Sequence, residues 1–80
     1  MQEFEWDEEN RINIEKHKIS FETARKVFSD PFRVELFDKE HSDFERRYKV
    51  IGYVGDCLCV IYTNRYPKIR LISARIATPK

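Results

Sequence analysis

The side chains best suited to chemistry in this sequence are basic ones. Arg70 and Arg75 lie within residues 69–77, a run that otherwise consists mostly of apolar strand formers. A guanidinium stays charged and is costly to bury without a partner, so each arginine requires an anion nearby. That anion is either a carboxylate of the protein, with Glu35 and Glu45 as candidates, or a phosphate group of a ligand.

A histidine among arginines is suited to cleaving a phosphodiester without a metal. An imidazole exchanges protons near neutral pH, and arginines hold a phosphate and stabilise the charge added in the transition state. RNA supplies its own nucleophile, the 2′-hydroxyl. Alternatively, the same side chains form a surface that only binds an anionic partner. The candidate residues for either role are Lys16, His17, Lys49, Arg65, Lys68, Arg70 and Arg75.

Other chemistries lack their signatures in this sequence. It contains no Gly-rich phosphate loop, no nucleophile elbow and no His or carboxylate cluster at metal spacing, so no metal or other cofactor is expected. Cys57 and Cys59 point the same way on a predicted strand, which is poor geometry for a disulfide. We interpret them as small apolar residues in a reducing cytoplasm. The acidic N-terminus and short apolar runs predict no signal peptide and no membrane span.

The charge is unevenly distributed along the chain. Its 80 residues have a formal net charge of +1. Residues 1–48 carry 13 acidic and 9 basic side chains, whereas residues 49–80 carry 1 acidic and 6 basic ones. This asymmetry predicts either a basic surface for an anionic partner or two halves that neutralise each other.

Hydrophobic spacing predicts two helices in the first part of the chain. Asp7 is a candidate N-cap for a helix that ends near Lys16 and His17, where cations suit the helix dipole. Ser20 is a candidate N-cap for a second helix, which Pro31 ends. The apolar positions of the second helix recur at helical spacing and are Phe21, Ala24, Val27 and Phe28.

After Pro31 the apolar period changes to two, which predicts four strands joined by short loops. The first strand begins near residue 33, and the next three span residues 46–54, 57–63 and 68–74. Residues 78–80 form a tail. Short connections make neighbouring strands antiparallel. We therefore predict one α+β domain, residues 1–80, with two N-terminal helices packed on a four-stranded antiparallel sheet. Residues 4–6 are either a short strand or an anchoring arm.

Two sets of residues match a known family pattern. The first set is Trp6-Asp7, Asn13, Lys16-His17, Phe21, Ala24, Val27-Phe28 and Asp30-Pro31. The second set is Asp38, His41-Ser42, Glu45-Arg46, Gly52, Val60, Thr63, Arg65, Ile69-Arg70, Ser73-Ala74-Arg75 and Ala77. With these residues the chain resembles, over nearly its whole length, the BrnT toxins, the ribonuclease toxins of a bacterial type II toxin–antitoxin system. The family usually has Gly where this chain has Lys18.

The resemblance implies a RelE-like fold and ribonuclease activity. It also implies a C-terminal helix, which in this chain would be absent or truncated. On this basis His17 is predicted to act as acid or base. The predicted phosphate-positioning and transition-state-stabilising residues are Arg65, Arg70 and Arg75. Further candidates for substrate contact are Lys16, Arg46 and Lys49.

The resemblance further implies a protein partner, a cognate BrnA-like antitoxin with a ribbon-helix-helix DNA-binding part. We expect acidic residues of the antitoxin to face the basic second half of this chain, with apolar anchors at the rim such as Phe37, Tyr53 or Tyr66. Operator DNA would be bound only through the antitoxin, because the net charge is near zero and no helix-turn-helix is predicted.

Overall fold

The described part of the chain comprises residues 2–42 and 44–77 of a computed structural model, with the backbone alone at His41. The predicted tail, residues 78–80, lies outside it. The helices of this part are α1 (Glu9–His17), α2 (Phe21–Ala24) and two 3₁₀ helices (Arg25–Ser29 and Lys39–His41). Its strands are β1 (Glu3–Glu5), β2 (Val34–Phe37), β3 (Tyr48–Val54), β4 (Asp56–Arg65) and β5 (Lys68–Ile76).

The strands form one sheet in the order β1-β5-β4-β3-β2, and β1 pairs with β5 in parallel. The prediction of a four-stranded antiparallel sheet is therefore wrong, because the sheet has five strands and is mixed. Short loops force β2 to β5 to be antiparallel, but no short loop joins β1 to β5. The N-terminal strand is consequently free to pair in parallel, and three alternating residues carry too little pattern to predict it.

The core lies on one face of the sheet, which we call the helical face. Ser20 caps α2, as predicted, since its Oγ accepts a hydrogen bond from Thr23 N–H at 3.1 Å. The helix changes to 3₁₀ form at Arg25 and does not continue to Pro31. A Cβ at Gly52 of β3 would lie 3.1 Å from Val27 Cβ, so the absent side chain lets the first 3₁₀ helix pack closely on the sheet. The fully buried core side chains of largest volume are Phe21, Val27, Val50, Val60 and Leu71.

The first helix is placed differently from the prediction. It begins at Glu9, after Glu8, and the side chain of Asp7 does not cap it but binds Arg70. It lies along the outer edge of β5 beyond the three residues paired with β1, where Asn13 accepts a hydrogen bond from Ala74 N–H. The expectation that both helices pack on one sheet face is thus wrong for α1. The helix carries few apolar side chains, and its one buried residue is the polar Asn13.

Candidate active site

The position of α1 depends on two asparagines. Asn13 is 5% exposed; its Oδ1 accepts a hydrogen bond from Ala74 N–H at 3.0 Å, and its Nδ2 donates to Ile19 C=O at 2.9 Å. Asn10 Oδ1 accepts a hydrogen bond from Phe21 N–H at 2.8 Å. A buried amide side chain whose oxygen and nitrogen both form hydrogen bonds is fixed in one orientation. The helix α1 is therefore held in a single position against β5 and α2.

The last turn of α1 carries Lys16 and His17 and ends at Lys18. The backbone of Lys18 is left-handed, with φ 62° and ψ 27°, and its N–H donates to Ile14 C=O at 2.9 Å. This is the cap conformation that glycine normally supplies. The turn keeps its glycine-like shape despite the side chain, so His17 stays at the end of a regular helix.

The other face of the sheet, which we call the open face, carries most of the predicted cations. Leu58 and Val60 of β4 point into the core, so the alternate residues of β4 and their cross-strand neighbours point the opposite way. The register then arranges the open face in rows across the sheet. Three of these rows are Val34-Ile51-Cys59-Arg75, Leu36-Lys49-Ile61-Ser73 and Thr63-Arg70-Glu5.

A cleft of about 180 Å³ lies between α1 and the bulge of β5. Lys16 and His17 line it from the helix, and Ile72 and Ser73 line it from the strand. His17 also lines a larger cavity of about 530 Å³ between the end of α1, α2 and the β3–β4 turn. The imidazole therefore stands between two concave surfaces, one of which opens beside the rows of the open face.

Two predicted cations share the open face with this cleft. Arg75 is two residues beyond Ser73 on β5, or about 7 Å along the strand, and Lys49 is two strands from Ser73, or about 10 Å across the sheet. Arg75 is exposed, and its one hydrogen bond within the described residues goes to Ile76 C=O at 3.4 Å. Neither cation has a carboxylate partner among residues 2–42 and 44–77. No carboxylate of the described residues therefore competes with a bound anion for these two charges.

Arg70 is placed differently, because carboxylates surround it. Its guanidinium lies 2.6 Å from Asp7, 3.3 Å from Glu9 and 3.4 Å from Glu5, and its side chain is 14% exposed. The hydrogen bond to Asp7 and the charges of Glu9 and Asp7 raise the pKa of Arg70 above its ordinary value. Arg70 thereby joins β5 to β1 and to the start of α1. The carboxylates suggested from the sequence, Glu35 and Glu45, are not its partners.

The remaining predicted residues lie near the opposite end of β4. Arg65 forms an ion pair with Glu45 at 3.4 Å, and both side chains are substantially exposed. The guanidinium of Arg46 lies 5.9 Å from the centre of the Phe37 ring. The structure therefore brings Lys16 and His17 together beside β5, places Arg75 and Lys49 on the adjoining face, and leaves Arg46 and Arg65 apart from them.

Two residues of this arrangement have no role predicted from the sequence. Asn13 positions the helix. The sequence feature that could have indicated this role is a polar residue on the side of α1 that faces the rest of the protein. Ser73 lines the cleft beside a shift in the sheet register: Ser73 lies opposite Ile61 and Leu71 lies opposite Tyr62, so Ile72 has no partner in the register with β4. A bulge leaves no mark in a period-two pattern of apolar residues.

Two further kinds of feature are absent from the described residues. No group of three His, Cys, Asp or Glu side chains is placed to hold a metal ion within residues 2–42 and 44–77. In the same residues no helix is long and apolar enough to cross a membrane. Cys57 and Cys59 are both free thiols; Cys57 is exposed and Cys59 is buried.

Comparison with known proteins identifies the family. A family model described as the ribonuclease toxin BrnT of a type II toxin–antitoxin system matches residues 6–80. No curated protein sequence matches the chain. The matched range contains α1, the cleft and every cation of the open face described above. The chain therefore belongs to the BrnT family of ribonuclease toxins of type II toxin–antitoxin systems.

Proposed function

We propose that this ribonuclease toxin cleaves RNA without a metal, in the cleft between α1 and β5, and that His17 is its acid–base residue. The observation that carries the proposal is that Lys16 and His17 line one wall of that cleft while Ser73 lines the other. The neighbouring open face offers Lys49 and Arg75, which have no carboxylate partner among the described residues. This combination of a proton carrier and positive charge is what phosphodiester cleavage requires.

The chemical step uses the nucleophile of RNA itself. His17 removes the proton of a 2′-hydroxyl, whose oxygen attacks the adjacent phosphorus. The bond from phosphorus to the 5′-oxygen breaks, and that oxygen takes up the proton that His17 removed from the 2′-hydroxyl. The products are a 2′,3′-cyclic phosphate and a 5′-hydroxyl, so atoms and charge balance without water or a cofactor. Arg75 and Lys49 stabilise the charge that accumulates on the phosphate oxygens.

The other predicted arginines contribute in different ways. The three carboxylates around Arg70 favour the structural alternative for that residue, in which it holds the N-terminal segment against β5 and positions α1. Arg65 and Arg46, near the other end of β4, are suited to phosphates of the RNA chain more distant from the scissile bond. Lys16 neighbours His17 and is suited to the phosphate beside the reacting one.

The partner proposal follows from the family. A BrnA-like antitoxin with a ribbon-helix-helix part neutralises the toxin in the cytoplasm by placing acidic residues on the open-face cations. It also carries the complex to operator DNA, while this chain alone does not bind it. A mobility-shift assay with the chain, the antitoxin and their complex tests this division. A specific, salt-sensitive shift by the chain alone contradicts it.

Inducible expression in a bacterium tests the proposed activity. Wild type is expected to arrest growth and degrade RNA, and co-expressed antitoxin is expected to restore both. His17→Gln is expected to permit growth. Lys26→Gln is the matched control, because Lys26 is exposed on the first 3₁₀ helix, on the helical side of the sheet. Growth and intact RNA with a folded wild-type chain would favour the alternative, a catalytically weak member that acts as a binding partner or co-repressor of its antitoxin.

A further inference from the structure

Among the described residues, no other strand pairs with the outer edge of β2. All four residues of β2, Val34–Phe37, are exposed. Asp38 N–H donates to Arg47 C=O at 2.9 Å, so the inward-facing backbone groups of this antiparallel pair belong to Asp38 and, by alternation, to Leu36 and Val34. The N–H and C=O groups of Glu35 and Phe37 consequently point away from the sheet. They form a template for one more strand.

Exposed apolar side chains gather around this edge. Phe32 is 88% exposed, Phe37 is 50% exposed and Tyr53 is 67% exposed, and Val34 and Leu36 are about half exposed. At the other side of the sheet the edge strand β1 is only three residues long, and beyond it the Asn13 side chain covers Ala74 N–H of β5. Proteins usually shield an apolar edge strand, so an unshielded one together with an apolar patch indicates a partner.

We propose that an extended, acidic segment of the cognate antitoxin adds to β2 as a sixth strand. This inference deepens the proposed function, since it states how the antitoxin reaches the open face. Main-chain hydrogen bonds to Glu35 and Phe37 supply affinity, and alternate side chains of the added strand contact Val34 and Leu36.

Charge decides between an acidic partner and a second copy of this chain. Lys49 lies opposite Leu36 on the open face, and Arg46 lies over the Phe37 ring. Neither has a carboxylate partner among the described residues. A second β2 offers them no free acid, because Glu35 is bound to Arg33 at 2.7 Å and to the Tyr62 hydroxyl at 3.0 Å. An acidic antitoxin segment satisfies both cations.

The position of the added strand also accounts for inhibition. The row that contains Leu36 continues through Lys49 and Ile61 to Ser73, which lines the cleft beside His17. A segment anchored on β2 that continues across this row covers Lys49 and reaches the cleft. The edge of β2 thus holds the antitoxin segment in place, and the continuation of that segment blocks the site.

A matched pair of variants tests the added strand. Glu35→Pro removes an outward N–H group and leaves the inward hydrogen bonds of β2, whereas Glu35→Ala removes only the side chain. Calorimetry with the full-length antitoxin of the same module is expected to show at least a tenfold weaker affinity for Glu35→Pro than for Glu35→Ala. Equal affinities of the two folded variants contradict the proposal. RNA cleavage by the free variants is measured separately, so failure of this inference is distinguishable from failure of the proposed function.

Hydrogen exchange of the wild-type chain keeps the proposal testable if Glu35→Pro does not fold. The amides of Glu35 and Phe37 are expected to gain protection on antitoxin binding, while the amide of Phe4 in β1 does not change. Unchanged exchange at Glu35 and Phe37 contradicts the added strand. Protection of both amides in the free chain, together with a dimer by sedimentation, also overturns it, because a second copy is then the occupant.

Discussion

The N–H group of Ala74 donates a hydrogen bond to Asn13 Oδ1 at 3.0 Å, and this bond fastens α1 to the outer edge of β5. The helix carries Lys16 and His17, and the strand carries Ser73 and Arg75. One buried amide side chain therefore sets the distance between the two walls of the cleft. The spacing between the proposed acid–base residue and β5 therefore depends on the buried side chain of Asn13.

Asn13→Ala is expected to lower both stability and activity. The substitution leaves Ala74 N–H and Ile19 C=O without their partner, and each unsatisfied buried group costs roughly 1–3 kcal/mol. We expect a loss of about 3 kcal/mol in the free energy of unfolding, measured by urea titration. Glu15→Ala, on an exposed position of the same helix, is the control and is expected to change stability by less than about 0.5 kcal/mol. Equal stability of Asn13→Ala and wild type would contradict the role of the amide.

Arg70 and Arg75 are expected to separate into a structural and a catalytic arginine. Arg70→Ala leaves three carboxylates without their cation and is expected to reduce the free energy of unfolding by about 2 kcal/mol, a value lowered from that of a buried pair because Asp7 and Glu9 are partly exposed. Arg75→Ala is expected to leave the melting temperature unchanged and to slow RNA cleavage by roughly 100-fold, as loss of a transition-state donor does. The reverse pattern, with a fully stable Arg70→Ala that no longer cleaves RNA, assigns phosphate contact to Arg70.

Lys18→Gly is expected to stabilise the protein. A side chain in the left-handed region costs roughly 1–2 kcal/mol, and glycine adopts φ 62° without that cost. We expect a gain of about 1 kcal/mol and a rise in melting temperature of about 5 °C. Lys18→Ala retains the Cβ atom and serves as the control. A gain of the same size in Lys18→Ala would mean that the lysine side chain, and not the backbone, is responsible.

Asp30 makes stability depend on pH in acid solution. Its carboxylate accepts hydrogen bonds from Phe32 N–H at 2.9 Å and Tyr53 N–H at 2.8 Å, which hold the pKa of Asp30 below its ordinary value of 3.8. Because the folded state binds the proton less readily than the unfolded state, this stabilisation is complete above pH 3.8 and is lost as the pH falls through the lowered pKa. Urea titrations from pH 7 to pH 2 should show the advantage of wild type over Asp30→Asn disappearing in acid. A constant difference would contradict this linkage.

The sequence predicted those parts of the fold that local patterns determine. The four later strands, the Ser20 cap and the turn at Gly55, whose φ is +74°, follow from apolar period and turn chemistry. The fifth strand and the edge position of α1 did not, because both depend on pairing between residues more than 60 positions apart. Glu5 pairs with Arg70, and Asn13 with Ala74.

The candidate site was predictable to a similar extent. Residue types indicated His17 and a set of cations, but nothing local separates an arginine held by carboxylates from one that is free. Arg70 and Arg75 have similar sequence surroundings, yet three acidic residues of the N-terminal segment surround only Arg70. Register and the β5 bulge, which bring Ser73 into the cleft, likewise arise from the sheet as a whole.

Cleavage of RNA by the purified chain in the presence of EDTA tests the central claim most directly. Wild type is expected to cut RNA in EDTA, with products that end in a 2′,3′-cyclic phosphate, and His17→Gln is expected to be slower by at least 100-fold while melting at the same temperature. Lys26→Gln is expected to cleave like wild type. Wild-type cleavage rates in folded His17→Gln, or cleavage that occurs only when a divalent metal is supplied, would contradict the account.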